Sequence, residues 1–160
     1  MMIIDGKKEA EILRLEIKKE IDLLKSKNNK VPGLTVILIG DFAPSQIYVK
    51  NKEKSAKEVG INSSVVRYPK EVTEDEVLKK IEDLNNDTDV SGILVQLPLP
   101  PQINKEKIIN AINPKKDVDG FHPMNVGNLS SGYHAIVPCT PLGCLYLIKK
   151  VENNLSGKHA

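Results

Sequence analysis

Tryptophan is absent from this 160-residue chain, and aromatic residues make up only 4% of it. So few rings leave no stacking platform for nucleic-acid bases. An excess of one charge is also missing: 23 basic and 21 acidic residues leave a formal net charge of +2. Lysine is interleaved with glutamate and aspartate along most of the chain, the pattern of a solvated surface, which argues against nucleic acid or an anionic membrane as partner. Cysteine is scarce. Cys139 and Cys144 flank a Thr140-Pro141 turn, too few thiols for a disulfide framework and without the neighbours that tetrahedral zinc requires, so both read as reduced thiols in a cytosolic protein. No apolar run approaches the length that spans a bilayer, and Met1-Met2-Ile3-Ile4-Asp5-Gly6 has neither an apolar core nor a cleavage-like site. A cytoplasmic protein is expected. The chain also lacks G-x-G-x-x-G and Walker A loops, the usual marks of nucleotide binding.

What remains is globular composition, 40% hydrophobic and 28% charged, at the length of one ordinary domain. Ala10, Leu13, Ile17, Ile21 and Leu24 recur at helical spacing, predicting an amphipathic helix over residues 7–27. After Val31-Pro32-Gly33, the unbroken apolar run Leu34-Thr35-Val36-Ile37-Leu38-Ile39 predicts a strand buried on both faces, as in a parallel sheet. A second helix is expected from Ser45 to Val59, stopped by Gly60, then a short strand over 64–67. Thr73-Glu74-Asp75-Glu76 opens a third helix as a capping box. Another buried strand is expected over 90–97, then a short helix over 105–112 and a loop-rich segment over 113–139. Thr140 as cap, with Pro141 in the first helical position, starts a last helix carrying Leu142, Leu145 and Ile148. Strands alternating with helices predict an α/β fold: a three-layer domain with a mainly parallel sheet flanked by helices. Ligands of such sheets gather beyond the carboxyl ends of strands, here Gly40-Asp41 and Gln96-Leu97-Pro98.

On a helical wheel of the second helix, at about 100° per residue, Ser45, Tyr48, Val49, Lys52, Ala56 and Val59 share one side. Lys50, Lys54 and Lys57 fall elsewhere, so Lys52 alone among the lysines lies on the inward arc. Either Lys52 snorkels or closes an ion pair, or it is a desolvated amine able to exchange protons near neutrality. Gln96 is a polar amide at the end of an apolar strand, either a satisfied core residue or one aimed into a site. In Lys116-Asp117-Val118-Asp119-Gly120-Phe121-His122-Pro123 the paired carboxylates have no His and Glu cluster beside them, so no metal site is expected; His122 reads as structural.

Tyr48-Val49-Lys50-Asn51-Lys52, Gly92-Ile93-Leu94-Val95-Gln96-Leu97-Pro98-Leu99-Pro100, Lys116-Asp117-Val118-Asp119-Gly120 with Asn125 and Gly127, and Pro138-Cys139-Thr140-Pro141 with Gly143 resemble the motifs of one family. It is the bifunctional methylenetetrahydrofolate dehydrogenase/methenyltetrahydrofolate cyclohydrolase (FolD) family. The resemblance implies interconversion of 5,10-methylene-, 5,10-methenyl- and 10-formyltetrahydrofolate in one-carbon metabolism, with tetrahydrofolate derivatives as substrates, NADP as cofactor and a homodimer of the full-length protein. It makes Lys52 the catalytic acid/base, with Gln96 holding it in position and Tyr48 lying against the aminobenzoyl part of the folate. Asp119 would grip the pterin ring, and Ser45, Leu97 and Pro98 would line the same cleft.

The family continues into a Rossmann domain that holds NADP. The expectation is therefore a folate-binding unit over residues 1–156, the start of the cofactor domain over 157–160, and no cofactor or metal site in the chain itself. Two other readings stand beside it. One is a folate-binding module without turnover. The other is a receiver-like interaction domain, which needs an acidic pocket that Asp41 alone does not supply where the neighbouring strand ends in Gln-Leu-Pro.

Overall fold

The computed structural model describes residues 3–28 and 30–159. The expected boundaries at Met1 and Ala160 lie outside the described residues. In chain order the elements are α1 (Gly6–Asn28), β1 (Gly33–Ile39), α2 (Ala43–Val59), β2 (Asn62–Tyr68), α3 (Glu74–Asn86), β3 (Gly92–Val95), α4 (Lys105–Ala111), α5 (Pro123–Ser130) and α6 (Cys139–Lys149). The three strands form one parallel sheet in the order β2-β1-β3. Val36 stands opposite Val65 and Leu94, and Ile37 opposite Val66 and Val95.

The two-residue alternation of a strand decides what each face holds. Ile37, Ile39, Ile93 and Val95 pack on Val77, Ile81 and Leu84 of α3 and on Ile108 of α4. Val36, Leu38 and Leu94 point the other way, onto Val49 of α2. Helices therefore cover both faces, and the expected three-layer α/β architecture is present. Full burial of an Ile or Leu side chain contributes roughly 1.5–3 kcal/mol, so this double-faced core dominates the stability. Among the described residues no helix is long and apolar enough to cross a membrane.

Several local details differ from the sequence expectation. α1 packs against α2, but of its apolar stripe Ile21 is buried while Leu13 and Leu24 stay exposed. α2 begins at Ala43, two residues early, because Pro44 fits the first turn, where an N–H has no partner to lose. β2 extends over Asn62–Tyr68 because β1 offers it a partner at every position. β3 is shorter than the expected 90–97 and ends at Val95. The segment 113–139, expected to be loop, contains α5, whose entry is capped by His122 Nδ1 accepting from the Met124 N–H at 3.1 Å. α6 starts at Cys139 with Pro138, not Thr140, at the cap: the Leu142 N–H already donates to the Pro138 carbonyl, and Pro141 falls within the first turn. Leu142, Leu145 and Ile148 of α6 are all exposed.

The capping box of α3 is present in both directions. Thr73 Oγ1 accepts from the Glu76 N–H at 3.3 Å, and Glu76 Oε2 accepts from the Thr73 N–H at 3.0 Å. Thr73→Ala removes the first of these bonds and should lower stability by about 1 kcal/mol. Chemical denaturation measures it; an unshifted midpoint would show that the cap contributes nothing.

Candidate functional site

Because Ile37 pairs with Val95, the carboxyl ends of β1 and β3 lie side by side. Beyond β3 the Gln96 N–H still donates to the Ile37 carbonyl at 2.9 Å, which holds Gln96 beside the central strand although the strand has ended. Lys52 arrives from α2. Its Nζ donates to Gln96 Oε1 at 3.1 Å, while Gln96 Nε2 donates to the Leu97 carbonyl at 2.8 Å. An ammonium has only donors, so it selects the amide oxygen and the amide nitrogen turns to the carbonyl. Ser45, 4% exposed, donates from Oγ to the same carbonyl at 3.4 Å. Ser45, Lys52, Gln96 and Leu97 are thus joined in one network.

Two questions left open by the sequence are answered here. Among the described residues no carboxylate lies within ion-pair distance of Lys52, so a structural salt bridge does not explain it. The side chain is half-buried and keeps donor capacity beyond its bond to Gln96. Gln96 is likewise half-buried and bonded to the amine, so it belongs to this network and is no ordinary core amide. Tyr48 departs from expectation: it is 63% exposed. It stands at the margin of the inward arc, in the second turn of α2. Pro98 is exposed and Leu97 half-buried.

Asp119 follows a single parallel bridge between Ile93 and Asp117 that hangs the segment on the edge of β3. The carboxyl of Asp119 is pushed above the ordinary aspartate value of 3.8, first by burial and then by the neighbouring Asp117, while the charge of Lys52 acts in the opposite sense. Leu97, whose carbonyl ends the Lys52–Gln96 network, also lines the recess at Asp119. The recess is small, about 10 Å³, and is lined by Ile93, Leu97, Ile109 and Phe121 together with a second carboxylate, Asp117. A groove of about 620 Å³ shares Leu97, Ile109 and Phe121 with it and is lined also by Lys105, Glu106 and Asn110. A roomier groove of about 830 Å³ between α1 and α2 is lined by charges of both signs, including Arg14, Lys54 and Glu58, and holds none of these residues. Among the described residues no three His, Cys, Asp or Glu side chains cluster to hold a metal ion.

Residues 4–119 match the family model "Tetrahydrofolate dehydrogenase/cyclohydrolase, catalytic domain". The chain belongs to this family. The bifunctional protein FolD of Pelagibacter ubique is 66% identical to it over 160 residues, covering all of this chain and 57% of that protein. The crystal structure of the FolD dehydrogenase/cyclohydrolase from Campylobacter jejuni superposes with a TM-score of 0.95 at 46% identity, over 99% of this chain and 56% of that one. The Trypanosoma brucei member, solved with NADP cofactor and inhibitor, gives 0.89 at 35% identity, over 93% and 51%. The chain spans about half the length of the tetrahydrofolate dehydrogenase/cyclohydrolases it matches.

Sequence reading passed over two members of the site's surroundings, Asp117 as an individual residue and the amide of Asn125. Asn125 is 6% exposed, a buried amide inside a helix, and its place in the quoted motif was the only signal for it. The acceptor role of the Leu97 carbonyl has no side-chain signal at all.

The Asp119 shift has a consequence for stability. Burial favours the protonated carboxyl in the folded chain, so folding binds a proton more tightly than the unfolded chain does. As pH rises through and above 3.8 the unfolded state ionises first, and stability falls. Asp119→Asn removes that cost. Its melting temperature should exceed the wild type's at pH 7, and the gap should close as the pH drops below 3.8. Thermal melts at pH 7 and pH 3 test this; a gap of equal size at both would refute it.

Proposed function

We propose that the protein to which this chain belongs interconverts 5,10-methylene-, 5,10-methenyl- and 10-formyltetrahydrofolate, and that residues 1–156 form its folate-binding catalytic unit. The observation that carries this reading is the 3.1 Å bond between Lys52 Nζ and Gln96 Oε1, joined through the Leu97 carbonyl to the residue that lines the recess at Asp119. In this proposal the pterin lies in the 620 Å³ groove that shares Leu97, Ile109 and Phe121 with the recess, and its amino and ring N–H groups donate to Asp119. Tyr48, left exposed beside the cleft, packs on the aminobenzoyl ring, and Ser45, Leu97 and Pro98 line the path between them.

The hydrolytic step follows from the chemistry of the cation. Methenyltetrahydrofolate is a delocalised amidinium, and water attacks its bridging carbon. Lys52 is the amine that the network holds beside the proposed path of that water. Nζ removes one proton from the attacking water and returns it to the ring nitrogen as the C–N bond opens, while the remaining hydroxyl proton leaves to solvent as the formyl C=O forms. Gln96 Oε1 accepts from the amine and so directs its lone pair; that is a positioning role.

The dehydrogenase half calls for NADP, a cofactor found with the Trypanosoma brucei relative. The residues described here do not fit its pyrophosphate. The turn after β1, Gly40-Asp41-Phe42-Ala43-Pro44, brings a carboxylate and an N–H-less proline to the start of α2 where a glycine-rich loop would bare its N–H groups. Titration of this chain with NADP should therefore show no saturable binding. The same reading makes the full-length protein a homodimer, and its two free thiols suit the cytoplasm.

The deciding experiment uses the full-length protein. Lys52→Met should lower methenyltetrahydrofolate hydrolysis by about 10²- to 10⁴-fold, the usual effect of losing a general acid/base, and reduce hydride transfer less. Unchanged hydrolysis would remove Lys52 from this role. Tight folate binding without turnover in the wild type would favour a binding module instead.

A further inference from the structure

Asp117 makes no contact that the proposed chemistry uses, yet it is 2% exposed. A buried carboxyl needs partners, and these are neutral. Its Oδ2 accepts from the His122 N–H at 2.8 Å and from Asn125 Nδ2 at 2.9 Å. The same Asn125 amide nitrogen also donates to the Pro114 carbonyl at 2.9 Å. One buried amide on α5 thereby ties together both ends of the segment that carries Asp119. The backbone is closed from the inside as well. The Gly120 N–H donates to the Asp117 carbonyl at 3.3 Å, and Gly120 has φ +68°. A Cβ there would meet the Ile136 carbonyl oxygen at 2.7 Å, so the turn after Asp119 admits only glycine. Upstream, the Ile93 N–H donates to the Lys116 carbonyl at 2.7 Å, and Lys116 Nζ donates to the Leu84 and Asp87 carbonyls at the end of α3.

We propose that Asp117 and Asn125 are positioning residues for the candidate pterin-binding carboxylate, holding the 116–122 turn so that Asp119 faces the recess bounded by Leu97 and Phe121. This rests on the folate reading above. The arrangement separates two jobs that one aspartate cannot do at once. Asp119 keeps its oxygens free for a ligand because Asp117 accepts the N–H donors of the turn and of α5. A turn fixed before the ligand arrives does not lose its freedom on binding, which is how preorganisation raises affinity. The two carboxyls also sit close enough for Asp117 to push that of Asp119 upward.

A thermodynamic cycle separates positioning from mere structure. Folic acid, which carries the pterin ring but does not react, is titrated calorimetrically into the full-length wild type, Asp117→Asn, Asp119→Ala and the double variant. Asp117→Asn should weaken binding roughly tenfold, about one hydrogen bond to a charged group. In the Asp119→Ala background the same change should cost less than twofold, because the residue it positions is gone. Asn125→Ser serves as a second entry to the same cycle, with the same result expected. Hydrolysis of methenyltetrahydrofolate should show a raised KM with kcat within about twofold, since Lys52 and Gln96 are untouched. Equal losses in both backgrounds, unchanged affinity, or failure of both Asp117→Asn and Asn125→Ser to fold would each overturn the proposal. Failure of the wild type to bind folic acid would instead overturn the folate reading itself.

Discussion

β1 is the constraint on which the rest depends. It lies between two parallel partners, and every residue from Thr35 to Ile39 is buried. A strand buried on both faces forces helices onto both. α2 must then lay Val49 on Val36 and Leu38, and α3 and α4 must cover Ile37 and Ile39. Once Val49 is seated, Lys52 follows three residues later on nearly the same side of the helix. The amine is drawn to the sheet by the packing of its neighbours. Gln96 reaches the same point because β3 is in register with β1 and its chain continues one hydrogen bond beyond the last pair.

The site is built at the edge of this core, where covering is incomplete. Lys52 and Gln96 are half-buried; Tyr48 and Phe121 remain exposed. A fully sealed amine would be unreachable, and a fully solvated one would be poorly held. The intermediate position gives Lys52 one fixed partner and leaves it free capacity. Asp119 carries a matching cost: burial favours the protonated form of its carboxyl.

Beside it, the segment 113–122 carries structure that a loop of its composition does not announce. Lys116 closes the end of α3, Asp117 accepts from two donors, and Asn125 binds back to Pro114. Buried polar groups satisfied in this way make a rigid framework, whereas the same residues unsatisfied would destabilise the fold. Leu142, Leu145 and Ile148 of α6, by contrast, stay exposed, while Tyr146 and Leu147 are half-buried.

Local chemistry was readable from residue order. The double-sided burial of 34–39, the capping box at Thr73, the stop at Gly60 and the isolation of Lys52 among its lysines all follow from short-range pattern, because propensity and periodicity act within a few residues. The motifs carried the family. Long-range decisions were not readable. That Tyr48 stands outside the packed face, that β3 stops at Val95, that a helix forms at Pro123–Ser130, and that Cys139 already belongs to α6 depend on which surfaces meet, and no local rule specifies that. The pairing of Lys52 with Gln96 was decided by the register of two parallel strands, and the part played by Asp117 and Asn125 by a buried donor finding its acceptor across a turn. Such bonds have a direction and a distance only once the chain has closed on itself.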